Sequence, residues 1–224
     1  HGVVEAFIAL GADKKSFRTL ALEVCAADAD DHSLGAPMGS YERIAAVECF
    51  HGAGHGAMQI RQNNVHASLE DCETLPNSLM REACYGGIFM ERANLALTFY
   101  HPEASRPFGQ ESMTELCRGL TDTKQNQCAR YMTQTLFAND PGNFLQAFTE
   151  CKTVGDQESS EECVRRTSWF FIPLFLGNNN HRMVDACTLA GSEYEERCIR
   201  YVASGIRWGS AGPDVRAEAF CDAV

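Results

Sequence analysis

The sequence predicts an all-α protein, a right-handed solenoid of about five antiparallel helical hairpins with a period near 35 residues and one disulfide stapling each hairpin. Three observations predict it. Cysteines recur in pairs with ten or eleven residues between them, the second cysteine of each pair returns about every 35 residues, and turn-forming clusters separate stretches of helical apolar periodicity.

The eleven cysteines stand at 25, 49, 72, 84, 117, 128, 151, 163, 187, 198 and 221. On one helix, partners eleven or twelve positions apart would lie roughly 16 to 18 Å from each other, whereas a disulfide needs about 5 to 6 Å between Cα atoms. If they pair, the chain must reverse between them. Each gap carries suitable turn or polar material: Thr74-Leu75-Pro76-Asn77-Ser78, Thr121 to Asn126, Val154-Gly155-Asp156-Gln157 and Ala190-Gly191-Ser192-Glu193. The expected pairs are therefore Cys72 with Cys84, Cys117 with Cys128, Cys151 with Cys163 and Cys187 with Cys198, each on an αα-hairpin. Cys25 and Cys49 form a fifth pair around an enlarged loop holding Ser33 to Ser40. Each staple contributes roughly 3 kcal/mol by loop entropy.

Second cysteines at 49, 84, 128, 163 and 198 give intervals of 35, 44, 35 and 35. A two-helix unit of this period is the signature of an α-solenoid, and the longer interval is the same unit with an insertion at about residues 94–112. Across nearly the whole chain the layout resembles Sel1-like and tetratricopeptide-type repeat proteins, particularly the cysteine-stapled kind. No functional residue is carried over from them. Residues 1–224 read as one solenoid domain, a segment of a longer array. Cys221 opens a sixth unit and pairs outside it or stays free, while His1 to Phe7 reads as a second helix whose cysteine would precede residue 1.

A net charge of −11 and a pI near 5.1 oppose nucleic-acid and anionic-membrane partners by repulsion. No CxxC or CxxCH occurs, so a zinc ribbon, a thioredoxin-type pair and a covalent haem are unsupported. Heavy cysteine use at wide spacing suits an oxidising compartment: secreted, periplasmic or cell surface. With no leader at its start, the chain reads as a mature form or an internal piece. The longest apolar run, Trp169 to Leu176, contains Pro173 and is too short for a membrane span; it reads as buried core.

Aligned on their cysteines, the second helices carry mostly apolar residues one, four and eight positions on, among them Phe50, Ala53, Ala57, Tyr85, Ile88, Met132, Val164, Val202 and Ile206. Positions two and six fall on roughly the opposite side. There stand His51 and His55, then Gly86 and Met90, Arg130 and Gln134, Arg165 and Trp169, Arg200 and Ser204; His1 and Glu5 occupy the same places in the first fragment. If second helices of adjacent units lie side by side, His1, Glu5, His51 and His55 offer three imidazoles and a carboxylate to one transition metal ion. Gly52, Gly54 and Gly56 cost a helix about 1 kcal/mol each relative to alanine, which makes sense where a backbone or a ligand approaches closely.

The donors do not choose among copper, zinc and iron. A zinc protease helix would carry glutamate after its first histidine, where Gly52 stands, and a diiron carboxylate site would need GluxxHis spacings that are absent. His1, as a mature N-terminus, would chelate copper through its amino group and ring, as the histidine brace of copper monooxygenases does. A noncovalent haem held by one of the histidines is a further candidate. The pattern names no reaction.

The competing reading is an interaction scaffold or assembly subunit that binds a protein partner. Arg130, Arg165 and Arg200 hold the same place in three successive units, a row suited to a carboxylate, a phosphate or an acidic peptide; structurally, the row would pair with Glu115, Glu150 and Asp185. Glu91 reads as a group behind a metal ligand or as a plain ion-pair residue. His32, His66 and His181 have no partner in sequence, and His101, before a proline, reads as a solvated residue of the insertion loop. No GxSxG, P-loop or GxGxxG occurs.

Overall fold

The computed structural model describes residues 2–25, 37, 40–96, 113–137, 142–175 and 180–209, and among them every regular element is helical. Two compact units result, His1–Phe108 and Gly109–Val224. Their boundary falls inside the expected insertion. The helix preceding it, with Ala93 and Leu95 buried, runs through Ala96; residues 97–112 of the expected insertion lie outside the described residues.

The first unit holds α1 (Gly2–Gly11), α2 (Phe17–Val24), α3 (Tyr41–Ile60), α4 (Val65–Glu73) and α5 (Ser78–Ala96). Side-chain oxygens start three of them: Ser16 accepts from the Thr19 amide, Ser40 from Arg43 and Asn64 from Ala67, satisfying donors that an isolated helix leaves open. Cys25, capping α2, joins Cys49 of α3, and Cys72 of α4 joins Cys84 of α5, each with 5.8 Å between Cα atoms. At the end of α3, the Arg61 Nε and Nη2 groups donate to the two Asp71 carboxylate oxygens at 2.7 Å, tying it to α4.

Helix α3 packs against both α1 and α5. Two of its glycines make that possible. A Cβ on Gly54 would collide with the Cys84 carbonyl oxygen and stand 2.9 Å from the Ile88 nitrogen of α5. One on Gly56 would stand 2.9 Å from Ile8 Cβ of α1. Two positions apart on a helix, these glycines point to nearly opposite sides, so α3 is covered on both flanks and every residue from Cys49 through Met58 is buried. Gly87 of α5 returns the contact, since a Cβ there would meet the His51 carbonyl oxygen.

The second unit holds α6 (Met113–Arg118), α7 (Asp122–Met132) with a 3₁₀ turn Thr133–Phe137 beyond it, α8 (Phe144–Cys151), α9 (Gln157–Phe175), α10 (Asn180–Thr188) and α11 (Glu195–Gly209). Disulfides join α6 to α7, α8 to α9 and α10 to α11, through Cys117–Cys128, Cys151–Cys163 and Cys187–Cys198 at Cα separations of 5.5, 5.3 and 5.5 Å. Helix α9 packs against α7 and α11. All six of these cysteines are fully buried.

A recurring turn sits under the staples. The residue three after the first cysteine is apolar and buried in Leu75, Leu120, Val154 and Ala190, and in three of the four its amide donates to the cysteine carbonyl at 3.0 to 3.1 Å. In these four hairpins the turn thus places a buried apolar side chain beside the staple. Between hairpins, Gln125 Nε2 donates to the Leu120 carbonyl at 2.8 Å and the Cys117 carbonyl at 3.2 Å, while its Oε1 accepts from the Asp156 amide at 3.0 Å.

Of the run Trp169 to Leu176, expected as core, Trp169, Phe170 and Ile172 are half-buried: Trp169 meets the Arg165 and Arg166 guanidiniums and donates through Nε1 to the Tyr201 carbonyl of α11 at 3.1 Å, and the side chains of the other five lie outside the described residues. No helix among the described residues is long and apolar enough to cross a membrane.

Candidate functional site

The buried middle of α3 brings His51 and His55 together one turn apart. Their ring centres are 5.2 Å apart and the residues 6% and 5% exposed. Both lie, by helical register, on the face opposite the packed stripe. The coverage of α3 on two sides buries them instead.

Helix α5 supplies the partners. His55 Nδ1 and Glu91 Oε2 are 2.8 Å apart, with Glu91 itself 8% exposed. His51 Nε2 lies 3.3 Å from the Met90 sulfur. The Gly54–Gly87 approach brings the two backbones close enough for these side chains to meet. Met90 was visible in sequence only as a place in the register, and Glu91 only as a group behind a ligand or an ion-pair residue. Their adjacency to the histidines across 36 to 39 positions is a tertiary fact.

Of the four proposed ligands, His1 lies outside the described residues. Glu5 sits on α1, which packs against α3, and its carboxylate accepts from the Gln59 side-chain amide, one turn past His55. Among the described residues no group of three or more His, Cys, Asp and Glu side chains is placed to hold a metal ion. His66 and His181 are exposed; His32, His101 and Cys221 lie outside the described residues.

The arginine row divides. Arg165 makes a two-pronged contact to Glu162, through Nε at 2.7 Å and through Nη2. Arg130 Nε stands 3.6 Å from the same carboxylate, and Arg166 Nε joins at 3.4 Å. Arg200 pairs instead with Glu196 at 3.8 Å, with its side chain 66% exposed. The acids facing the row thus belong to the second helices, not to the positions before the first cysteines; Glu150 accepts from the Thr114 hydroxyl. The guanidiniums stack on rings: Arg165 at 4.7 Å and Arg166 at 4.8 Å from the Trp169 centre, Arg130 at 5.4 Å from that of Tyr131. Burial, and then the charge of Arg130, lowers the Arg166 pKa from its ordinary value. Next to them Glu161 binds Arg197 at 3.2 Å and the Tyr201 hydroxyl at 2.5 Å; burial and that hydrogen bond push Tyr201 up to about 12.

No protein-family model, curated protein or solved structure matches the chain. The functional reading rests on geometry.

Proposed function

We propose that the chain is an exported helical-repeat protein of the solenoid kind, which binds one transition metal ion at the buried His51–His55 pair. The His55–Glu91 contact at 2.8 Å carries this reading. A carboxylate on Nδ1 fixes the tautomer and turns Nε2 into the ligand atom, the arrangement found behind metal-bound imidazoles. Two imidazoles sharing one tetrahedral ion at metal–nitrogen distances of about 2.0 Å have ring centres roughly 5 Å apart, and the observed separation is 5.2 Å. The Met90 sulfur beside His51 Nε2 adds a soft third donor, and imidazole with thioether favours copper over hard cations. When bound, the ion would supply one-electron chemistry if copper and Lewis-acid chemistry if zinc. Five disulfides support export, since such bonds persist in oxidising compartments.

The test is elemental analysis of protein purified without affinity-metal resin, beside a His51→Ala/His55→Ala double variant. One equivalent of a transition metal in the native chain, lost in the variant, is the expected result. Glu91→Gln should keep the metal but bind it about 10- to 100-fold more weakly. Metal-free native protein that takes up no copper or zinc on dialysis would sink the reading and leave the pair as a buried hydrogen-bonded contact between two helices.

A further inference from the structure

We infer that Arg130, Arg165 and Arg166 form a binding site for a small dianion of the phosphate class on the second unit, independent of the histidine pair. Three guanidiniums from α7 and α9 converge on one carboxylate, Glu162, leaving two positive charges unbalanced. The neighbouring acid, Glu161, is already shared by Arg197 and Tyr201. A chain carrying a net −11 has acids to spare, yet none of its described carboxylates besides Glu162 is within ion-pair distance of these three arginines. The gathering costs electrostatic energy: burial together with the charges of Arg130 and Arg165 works against the Arg166 guanidinium, and Glu162 offsets this only in part.

The cluster is also pre-ordered for an oxyanion. Stacking on Trp169 and Tyr131 holds the guanidinium planes, so few rotamers remain to be frozen on binding. Donors are in reserve. Arg130 Nε, one of the groups turned towards Glu162, makes no hydrogen bond among the described residues, and neither does the buried Nε2 of Gln134 one turn further along the chain. The three arginine side chains are 22% to 35% exposed, so solvent reaches them. A dianion matches the surplus charge and accepts two-pronged contacts from planar guanidinium groups. Phosphate and a dicarboxylate share that chemistry; the tetrahedral ion is favoured because its oxygens can face arginines arriving from two helices.

Trp169 reports on binding. The oxidised full chain in a Trp208→Phe background is titrated with inorganic phosphate, with succinate and with chloride at matched ionic strength, following tryptophan fluorescence. Saturable binding of phosphate, weaker binding of succinate and no saturation with chloride are expected. Arg130→Gln, a change at the most exposed of the three, should weaken phosphate at least tenfold while circular dichroism stays native. Glu162→Gln, which removes the competing carboxylate, should tighten it. Tighter succinate than phosphate would move the ligand class to dicarboxylates and overturn the phosphate assignment. Identical responses to phosphate and chloride, or phosphate binding unchanged in Arg130→Gln and Glu162→Gln alike, would overturn the site.

Discussion

Gly54 shows how one missing Cβ sets the geometry around the histidines. Alanine there would gain about 1 kcal/mol of helix propensity, but its methyl would run into the Cys84 carbonyl oxygen, a backbone atom with no rotamer to escape through. Overpacking of this kind costs about 1 to 3 kcal/mol or more. Gly54→Ala is therefore expected to lower unfolding free energy in urea despite its better propensity, and to weaken metal uptake by separating His51 and His55 from Met90 and Glu91. A stabilised variant would mean that α3 and α5 are not in backbone contact. Tyr85 offers a second check at this scale. Burial, then the charge of Glu73, raises its phenol to about 12, above the usual value near 10. The raised folded value means that the contribution is whole below about pH 10 and lost as pH climbs through about 12. Tyr85→Phe should flatten the loss of stability across that alkaline window, followed by denaturant midpoints at each pH.

The repeating element is a stapled hairpin with an apolar plug in its turn, and hairpins are joined by side chains such as Gln125. Replacing Cys151 and Cys163 with serine opens a loop with a sequence separation of 12, and the loop-entropy estimate puts the loss at roughly 3 kcal/mol. Gln125→Ala strands the buried Leu120 carbonyl and the Asp156 amide, while the Cys117 carbonyl keeps its bond from the Leu120 amide. A buried group left unsatisfied costs about 1 to 3 kcal/mol, so this single change should approach the disulfide deletion in urea melts. If it proves neutral, the hairpins do not depend on the glutamine bridge. The hairpins themselves were legible in sequence, because a separation of eleven or twelve residues cannot be bridged without a chain reversal. The plug at Leu75, Leu120, Val154 and Ala190 is legible too, three places after the first cysteine of the last four pairs, on a stretch that the register of the second helices does not cover.

Across the whole molecule, five staples at roughly 3 kcal/mol each together match the entire stability of an ordinary domain, about 5 to 15 kcal/mol. Reduction and alkylation should accordingly abolish most helical circular dichroism at room temperature, and a native spectrum after full alkylation would show that the core suffices alone. Local spacing determined the helical class, the turns and which cysteines meet, because those depend on separations of one or two dozen residues. What surrounds each helix was decided only by tertiary packing. A period of 3.6 marks the face that must be buried; it does not count the neighbours on the other faces. Two flanking helices therefore buried His51 and His55 where the register showed a polar face. The arginine row, uniform in sequence, split for a related reason: Arg130 and Arg165 found Glu162 on a covered face between packed helices, while Arg200 stayed in solvent with Glu196.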